Sequence, residues 1–219
     1  MIQAYNVKEV DMEQRGSLTV VSGFSGAGKG TIMKELLKRY DNYALSVSMT
    51  TRAPRPGEVD GREYFFVTQE EFDRTVRENG LLEYAGYVGH SYGTPRKYVE
   101  EQIGKGKDVI LEIDVQGGMQ VRKIFPETIL IFVSAPSAKV LKERLSGRGS
   151  ESREVIEGRL AQAREEAKIM TEYDYILIND DLNEAVEQLH HQICSAKTRP
   201  AALGGYIDSF AAQLEETLQ

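Results

Sequence analysis

The chain has 219 residues, of which 41% are hydrophobic and 28% are charged, and its net charge is −7. This composition is typical of a globular domain with a core, and an acidic chain is a poor candidate for general nucleic-acid binding. No apolar run approaches the ~18–20 residues that cross a bilayer, and the N-terminus lacks the apolar segment of a signal peptide. We therefore expect a cytosolic protein without nucleic-acid or membrane partners.

Strands and helices are predicted in alternation along most of the chain. Apolar, β-branched runs predict strands at 17–23, 43–50, 63–67, 108–114, 128–135 and 174–179. Apolar residues at helical spacing predict helices at 29–40, 68–80, 95–104, 116–124, 137–145, 152–170 and 181–195. Such alternation indicates an α/β fold with a central parallel sheet. The segment 35–100 breaks the alternation, and we expect it to hold an inserted ligand-binding lobe.

Two helix starts carry capping signals. Thr68 is expected to cap the helix that follows it, with Glu71 at the capping-box position. Thr94 is expected to cap the next helix, with Pro95 in its first turn.

The stretch "GFSGAGKGT" lies between the first strand and the first helix. Backbone N–H groups of a glycine-rich turn at a helix start bind anions, and the helix dipole adds partial positive charge. Lys29 supplies a charge for the β- and γ-phosphates of a nucleotide. We predict a phosphate-binding loop made of Gly23, Phe24, Ser25, Gly26, Ala27, Gly28, Lys29, Gly30 and Thr31.

Gly30 stands where the usual phosphate-loop pattern has a Ser or Thr whose hydroxyl binds Mg²⁺. Mg²⁺ dehydrates reluctantly and keeps several waters. Our hypothesis is that phosphates, waters and one carboxylate hold the ion. The sequence offers no metal-ligand cluster around its single cysteine, Cys194, which we expect to be a buried structural thiol.

Two further clusters carry groups suited to phosphates and a base. Arg52 and Arg55 lie in a proline-rich loop, and arginine forks bind phosphate bidentately. Glu83 can accept hydrogen bonds from the ring N–H and the exocyclic amine of guanine together. A later arginine cluster is either a solvated helix face or a lid that closes on phosphates during transfer; its members are Arg144, Arg148 and Arg159.

Five ordered motifs between about Ser17 and Cys194 resemble those of the guanylate kinase family: "SGFSGAGKGT", "SVSMTTRAPRPGEVDGREYFF", "LLEYAGYVGHSYGTP", "ILEIDVQGG" and "RLSGRG". The resemblance implies a three-layer P-loop NTPase-type fold with a central parallel sheet. It implies a core at 16–47 and 96–195, a GMP-binding lobe at about 48–95 and a lid at about 144–159. It also implies direct transfer of a phosphoryl group from ATP to GMP with Mg²⁺.

The same resemblance implies roles for individual residues. The acceptor-phosphate group consists of Ser48, Arg52, Arg55, Tyr64 and Tyr92. The guanine-reading set consists of Glu83, Thr94 and Asp114, although Asp114 could instead hold a Mg²⁺-bound water. Lys29 and its loop would bind ATP phosphates, Asn179 would lie at the adenine edge, and the arginine cluster would form the lid. The acceptor is already anionic, so we nominate no general base.

Other functions remain open at this point. A ribose-phosphate kinase of the same fold would keep the phosphate loop but lack the guanine-reading set. A non-catalytic binding module would keep parts of the acceptor site and lose the ATP loop. Outside the 16–195 domain lie an N-terminal extension, 1–15, and a C-terminal segment, 196–219, with an apolar helical stripe. We expect this helix to dock on its own domain, with a homo-oligomer contact as the alternative.

Overall fold

The computed structural model describes residues 16–87, 89–147 and 152–218. The strands of this described part are β1 (Leu18–Gly23), β2 (Tyr43–Leu45), β3 (Met49–Thr50), β4 (Phe65–Phe66), β5 (Leu81–Tyr87), β6 (His90–Pro95), β7 (Asp108–Glu112), β8 (Ile129–Ser134) and β9 (Tyr175–Ile178). Its α-helices are α1 (Lys29–Arg39), α2 (Gln69–Arg77), α3 (Arg96–Gly104), α4 (Val115–Ile124), α5 (Ala138–Ser146), α6 (Arg153–Ala167), α7 (Leu182–Ala196) and α8 (Gly204–Thr217).

A five-stranded parallel sheet in the order β2-β7-β1-β8-β9 forms the centre of the fold. Its inner strands β1 and β8 are buried on both faces, as the β-branched and apolar runs "LTVV" and "ILIFV" predict. Helices pack against the sheet, and Leu36 of α1 and Leu189 of α7 are fully buried in the same core. The predicted α/β fold with a parallel sheet is therefore confirmed.

A second, four-stranded sheet in the order β4-β3-β6-β5 is built from residues 49–95. The single strand predicted at 43–50 is wrong, because the chain changes sheets within it. Leu45 still pairs with Ile110 of β7, whereas Met49 already pairs with Gly93 of β6. The polar residues between them break the apolar pattern that a continuous central strand would need.

The two capping predictions have opposite outcomes. Thr68 caps α2, since its hydroxyl oxygen accepts a hydrogen bond of 3.1 Å from the Glu71 N–H. Thr94 does not cap α3, which begins at Arg96 after Pro95. Thr94 instead lies buried in β6, and its hydroxyl donates to Glu83 Oε1 at 2.6 Å. A buried carboxylate is the stronger partner for this hydroxyl because a charge-assisted hydrogen bond is stronger than a neutral one.

The C-terminal part departs from expectation in two ways. Leu189 and Ile193 of α7 are buried, but Cys194 on the same helix is exposed, so the predicted buried thiol is wrong. No residue of α8 is buried, and Phe210 and Leu214 are about half exposed, so the predicted docking of this helix on its own domain is also wrong. Within the described ranges, no helix has both the length and the apolar character needed to span a membrane.

Candidate active site

The predicted phosphate loop connects β1 to α1 and depends on glycine at two positions. Gly26 and Gly28 have φ values of 85° and 95°, in the left-handed region that favours glycine. A Cβ on Gly28 would also lie only 2.4 Å from Asn179 Nδ2. The same amide group donates a hydrogen bond of 2.7 Å to the Ala27 carbonyl. Asn179 therefore braces the loop from the end of β9, while its contact with adenine stays a prediction.

Two basic side chains lie on this loop. Lys29 Nζ donates to the carbonyl oxygens of Gly23 and Phe24 at 2.8 and 3.2 Å. Arg159 of α6 donates from Nη1 to the Ser25 hydroxyl at 2.9 Å. Cationic groups from two separate helices thus meet at a glycine-rich turn that opens a helix, an arrangement that suits a polyphosphate.

Glu112 belongs to this region and was missed by sequence reasoning. It ends β7, the strand beside β1, and its carboxylate oxygens lie 3.9 Å from where a Cβ on Gly30 would be. The side chain is accessible from the open cleft, yet desolvation by the surrounding protein raises the pKa of its carboxyl, while the Lys29 charge opposes this rise. The available signal was one acidic residue at the carboxyl end of the apolar strand "DVILE".

A cavity of about 410 Å³ lies between the second sheet and the carboxyl end of β7. It brings together six predicted substrate-binding residues, namely Arg52, Arg55, Tyr64, Glu83, Tyr92 and Asp114. Its lining also includes Glu58, Ala85, Gly86, Glu112 and Ile113. Positive side chains and a buried carboxylate, that of Glu83, are therefore both present in a single concave site.

The Arg52 guanidinium is held by an ion pair and by aromatic rings. Its Nη2 lies 2.9 Å from Glu58 Oε1, and its Cζ lies 5.4 Å from the Tyr64 ring centre and 5.8 Å from that of Phe66. The Tyr64 and Tyr92 ring centres are 5.9 Å apart. Cation–π contacts of this kind orient a guanidinium. The two tyrosine hydroxyls can then serve the same anion as the arginine.

Glu83 provides a buried carboxylate in the same cavity. The residue is 7% exposed, and burial raises the pKa of its carboxyl. The nearby Asp114 charge adds to this rise. The hydrogen bond from Thr94 opposes this rise. Asp114 Oδ1 accepts a 2.8 Å bond from the Gly117 N–H and so caps α4. A Cβ on Gly117 would lie 3.0 Å from Glu83 Oε2, so glycine lets α4 approach this carboxylate.

Several of the remaining predicted residues are not among those that line the cavity. The Ser48 carbonyl accepts a 2.8 Å bond from the Phe65 N–H, next to Tyr64, but Ser48 is not among the lining residues. Arg144 is in the last turn of α5, and Thr31 is exposed on α1. The predicted lid residue Arg148 is outside the described ranges.

Comparisons with known proteins find relatives that match most of the chain. A family model described as guanylate kinase matches residues 15–196. The guanylate kinase of Streptococcus thermophilus is 51% identical over 183 residues, covering 83% of this chain and 88% of that protein. That of Synechocystis sp. is 51% identical over 175 residues, covering 80% and 92%. The crystal structure of guanylate kinase from Anaplasma phagocytophilum matches with a TM-score of 0.67 and 31% identity, covering 85% and 89%.

Proposed function

The chain belongs to the guanylate kinase family, and we propose that its cavity is the place where GMP accepts a phosphoryl group from ATP. The protein is thus an ATP-dependent phosphotransferase that converts GMP to GDP. One observation carries the assignment of the cavity. A buried carboxylate, Glu83, and a pair of arginines suited to phosphate, Arg52 and Arg55, line the same site close to the phosphate loop.

In the proposed mechanism, the terminal phosphoryl group of ATP passes directly to a phosphate oxygen of GMP. The main obstacle is repulsion between two anionic phosphates, and positive charge from both sides reduces it. Lys29 and the loop N–H groups bind the donor, whereas Arg52 and Arg55 bind the acceptor. Arg144 and Arg159 stabilise the charge that spreads over the transferring group. The lid role of Arg148 stays a prediction from the sequence.

Glu83 is the proposed reader of the guanine base. An ionised carboxylate accepts from the ring N–H and the exocyclic amine together, a pairing that adenine does not offer. Thr94 donates to Glu83 Oε1 and fixes the orientation of the carboxylate. The Asp114 charge contributes to the raised pKa of the Glu83 carboxyl, so Asp114 lies near Glu83, and we assign it to the guanine edge and not to a Mg²⁺-bound water.

The experiment that tests the function measures ADP formation with ATP, Mg²⁺ and each of GMP, AMP, CMP, UMP and IMP. We expect strong turnover with GMP and weak or no turnover with the others. Turnover with none of them would contradict the proposal and favour a binding module or a sugar-phosphate kinase. The cytosolic location, the absence of nucleic-acid and membrane partners, and homo-oligomer formation stay predictions from the sequence.

The residues around Gly30 fit a magnesium ion that accompanies ATP. The loop offers no hydroxyl at Gly30, but the Glu112 carboxylate lies beside that position. Oxygen ligands of this kind suit Mg²⁺, which takes one or two protein carboxylates together with phosphates and waters. When bound, the ion neutralises phosphate charge and helps to orient the donor. We infer that Glu112 is the carboxylate that holds Mg²⁺, together with phosphates and waters, in place of the hydroxyl that Gly30 lacks.

Glu112→Gln is therefore expected to raise the Mg²⁺ concentration needed for half-maximal activity by about tenfold, because a neutral amide binds the ion weakly. The measurement is a Mg²⁺ titration of ADP formation at saturating ATP and GMP. Glu70→Gln, on the exposed side of α2, serves as the control. An unchanged Mg²⁺ requirement would remove Glu112 from this role, and a shift caused by Thr31→Val would point to the Thr31 hydroxyl.

A further inference from the structure

The site assigned to the GMP phosphate contains an acidic side chain. Glu58 lines the cavity together with four residues that we call the acceptor-phosphate clamp, namely Arg52, Arg55, Tyr64 and Tyr92. A carboxylate repels an incoming phosphate, so its presence in a site built for an anion calls for a compensating function. None of the roles described above uses Glu58.

The two carboxylate oxygens of Glu58 hold two different members of the clamp. Oε1 lies 2.9 Å from Arg52 Nη2, and Oε2 accepts a 2.7 Å hydrogen bond from the Arg55 N–H. The Glu58 N–H in turn donates to the Arg55 carbonyl at 3.0 Å, which closes the turn between them. One side chain thus ties the guanidinium of Arg52 to the backbone of Arg55.

Other contacts also hold the Arg52 guanidinium in place. Its Nη1 donates to the Ala53 carbonyl at 2.7 Å, and its guanidinium lies near the Tyr64 and Phe66 rings. The Arg52 side chain is 13% exposed and that of Glu58 is 18% exposed, so the pair is largely shielded from water. Hydrogen bonding from Arg52 holds the pKa of the Glu58 carboxyl below its ordinary value, which keeps the pair ionised at neutral pH.

We propose that Glu58 is a positioning residue for the GMP phosphate. It orients the Arg52 fork and fixes the turn that carries Arg55 before the ligand arrives. Ordering these groups in advance removes part of the entropy cost of binding, which is how pre-organised sites gain affinity. The two arginines together still exceed the single charge of Glu58, so the clamp remains positive towards phosphate. The inference rests on the proposed function of the cavity.

The test compares Glu58→Gln with a matched control, Glu63→Gln. Glu63 has the same kind of contacts in the same loop, since Oε1 lies 2.7 Å from Arg62 Nε and Oε2 accepts a 2.7 Å bond from the Val59 N–H. Glu63 is not among the residues that line the cavity. Both substitutions remove one charge and keep the side-chain shape, so a general weakening of the loop would affect both variants.

For Glu58→Gln we expect the Kd of GMP, measured by calorimetry without ATP, to rise about tenfold, because a charge-assisted contact that orients Arg52 is lost. The KM of GMP should rise in parallel, whereas kcat at saturating GMP, the KM of ATP and the unfolding midpoint should stay close to wild type. Glu63→Gln should leave all of these values near wild type. A merely structural role would not confine the change to GMP.

Three results would overturn the inference. GMP binding by Glu58→Gln equal to wild type would mean that Arg52 and Arg55 need no positioning. Tighter GMP binding would mean that Glu58 competes with the phosphate. Equal weakening in Glu63→Gln would mean that only loop stability matters. A wild-type chain that binds no GMP would contradict the proposed function of the cavity itself, and the wild-type measurement separates this failure from the other three.

Discussion

Replacing Lys29 with alanine should lower kcat by roughly 10²- to 10³-fold, because one group that stabilises charge in phosphoryl transfer is lost. Lys29 Nζ is held over the phosphate loop by the carbonyl oxygens of Gly23 and Phe24, so the charge is in place before ATP binds. Lys29 does not line the cavity assigned to GMP, and the Kd of GMP should therefore change far less than kcat.

The measurement pairs steady-state ADP formation with calorimetric GMP binding. Lys34→Ala is the matched control, since Lys34 is exposed on the same helix, α1. An unchanged unfolding midpoint would show that the loss does not come from misfolding of the loop. Turnover that survives in Lys29→Ala would remove this residue from the mechanism.

Replacing Glu83 with glutamine should abolish most of the preference for GMP over IMP. IMP lacks the exocyclic amine, so only GMP uses both oxygens of the carboxylate, and an amide nitrogen cannot accept the second bond. We expect the ratio of kcat/KM values for GMP and IMP to fall by roughly 10²-fold, as is typical when a hydrogen-bonding site loses its partner. The isosteric change keeps an oxygen for the Thr94 hydroxyl and so limits structural damage.

The role of Glu83 also makes the preference depend on pH. Burial raises the pKa of its carboxyl, so the group becomes protonated at a higher pH than an ordinary glutamate does. The GMP preference should be complete above that pKa and fall as the pH drops through it, and Glu83→Gln should lack this dependence. Glu101→Gln, exposed on α3, is the control. A GMP to IMP ratio unchanged by Glu83→Gln would contradict guanine reading by this residue.

Those parts of the fold that follow from local pattern were predictable. The apolar run before Gly23 and the helical spacing after Lys29 indicate a strand, a turn and a helix, and these are β1 and α1. The buried strand "ILIFV" was equally clear, because two-sided apolar runs are typical of parallel sheets. Six cavity residues were also identified, Arg52 and Arg55 from their place in a proline-rich loop, Glu83 from its match to guanine, and the others from the resemblance to guanylate kinases.

The predictions that were wrong, and the residues that were missed, depend on contacts between residues that are distant in the sequence. The switch of sheets between Leu45 and Met49 is fixed by pairing with β7 and β6, which no local pattern contains. Thr94 has a good capping sequence, but the distant Glu83 carboxylate takes its hydroxyl. Glu112 was counted as part of a strand, and Glu58 as part of a polar loop. Their roles became visible only from the position of Gly30 and the two contacts with Arg52 and Arg55.

The chain leaves the central sheet after β2 and returns to it at β7, and these two strands are neighbours. The chain therefore enters and leaves the second sheet, with most of the acceptor-phosphate and guanine-reading residues, beside one edge of the central sheet, while α4 also contacts this sheet at β5. The phosphate loop lies on β1, which the inserted segment does not interrupt. The inserted segment, which carries the second sheet, is thus connected to the central sheet by two chain crossings at neighbouring strands. We expect that replacing this segment would change the contacts to the base that it carries, whereas β1 and the phosphate loop would keep their sequence.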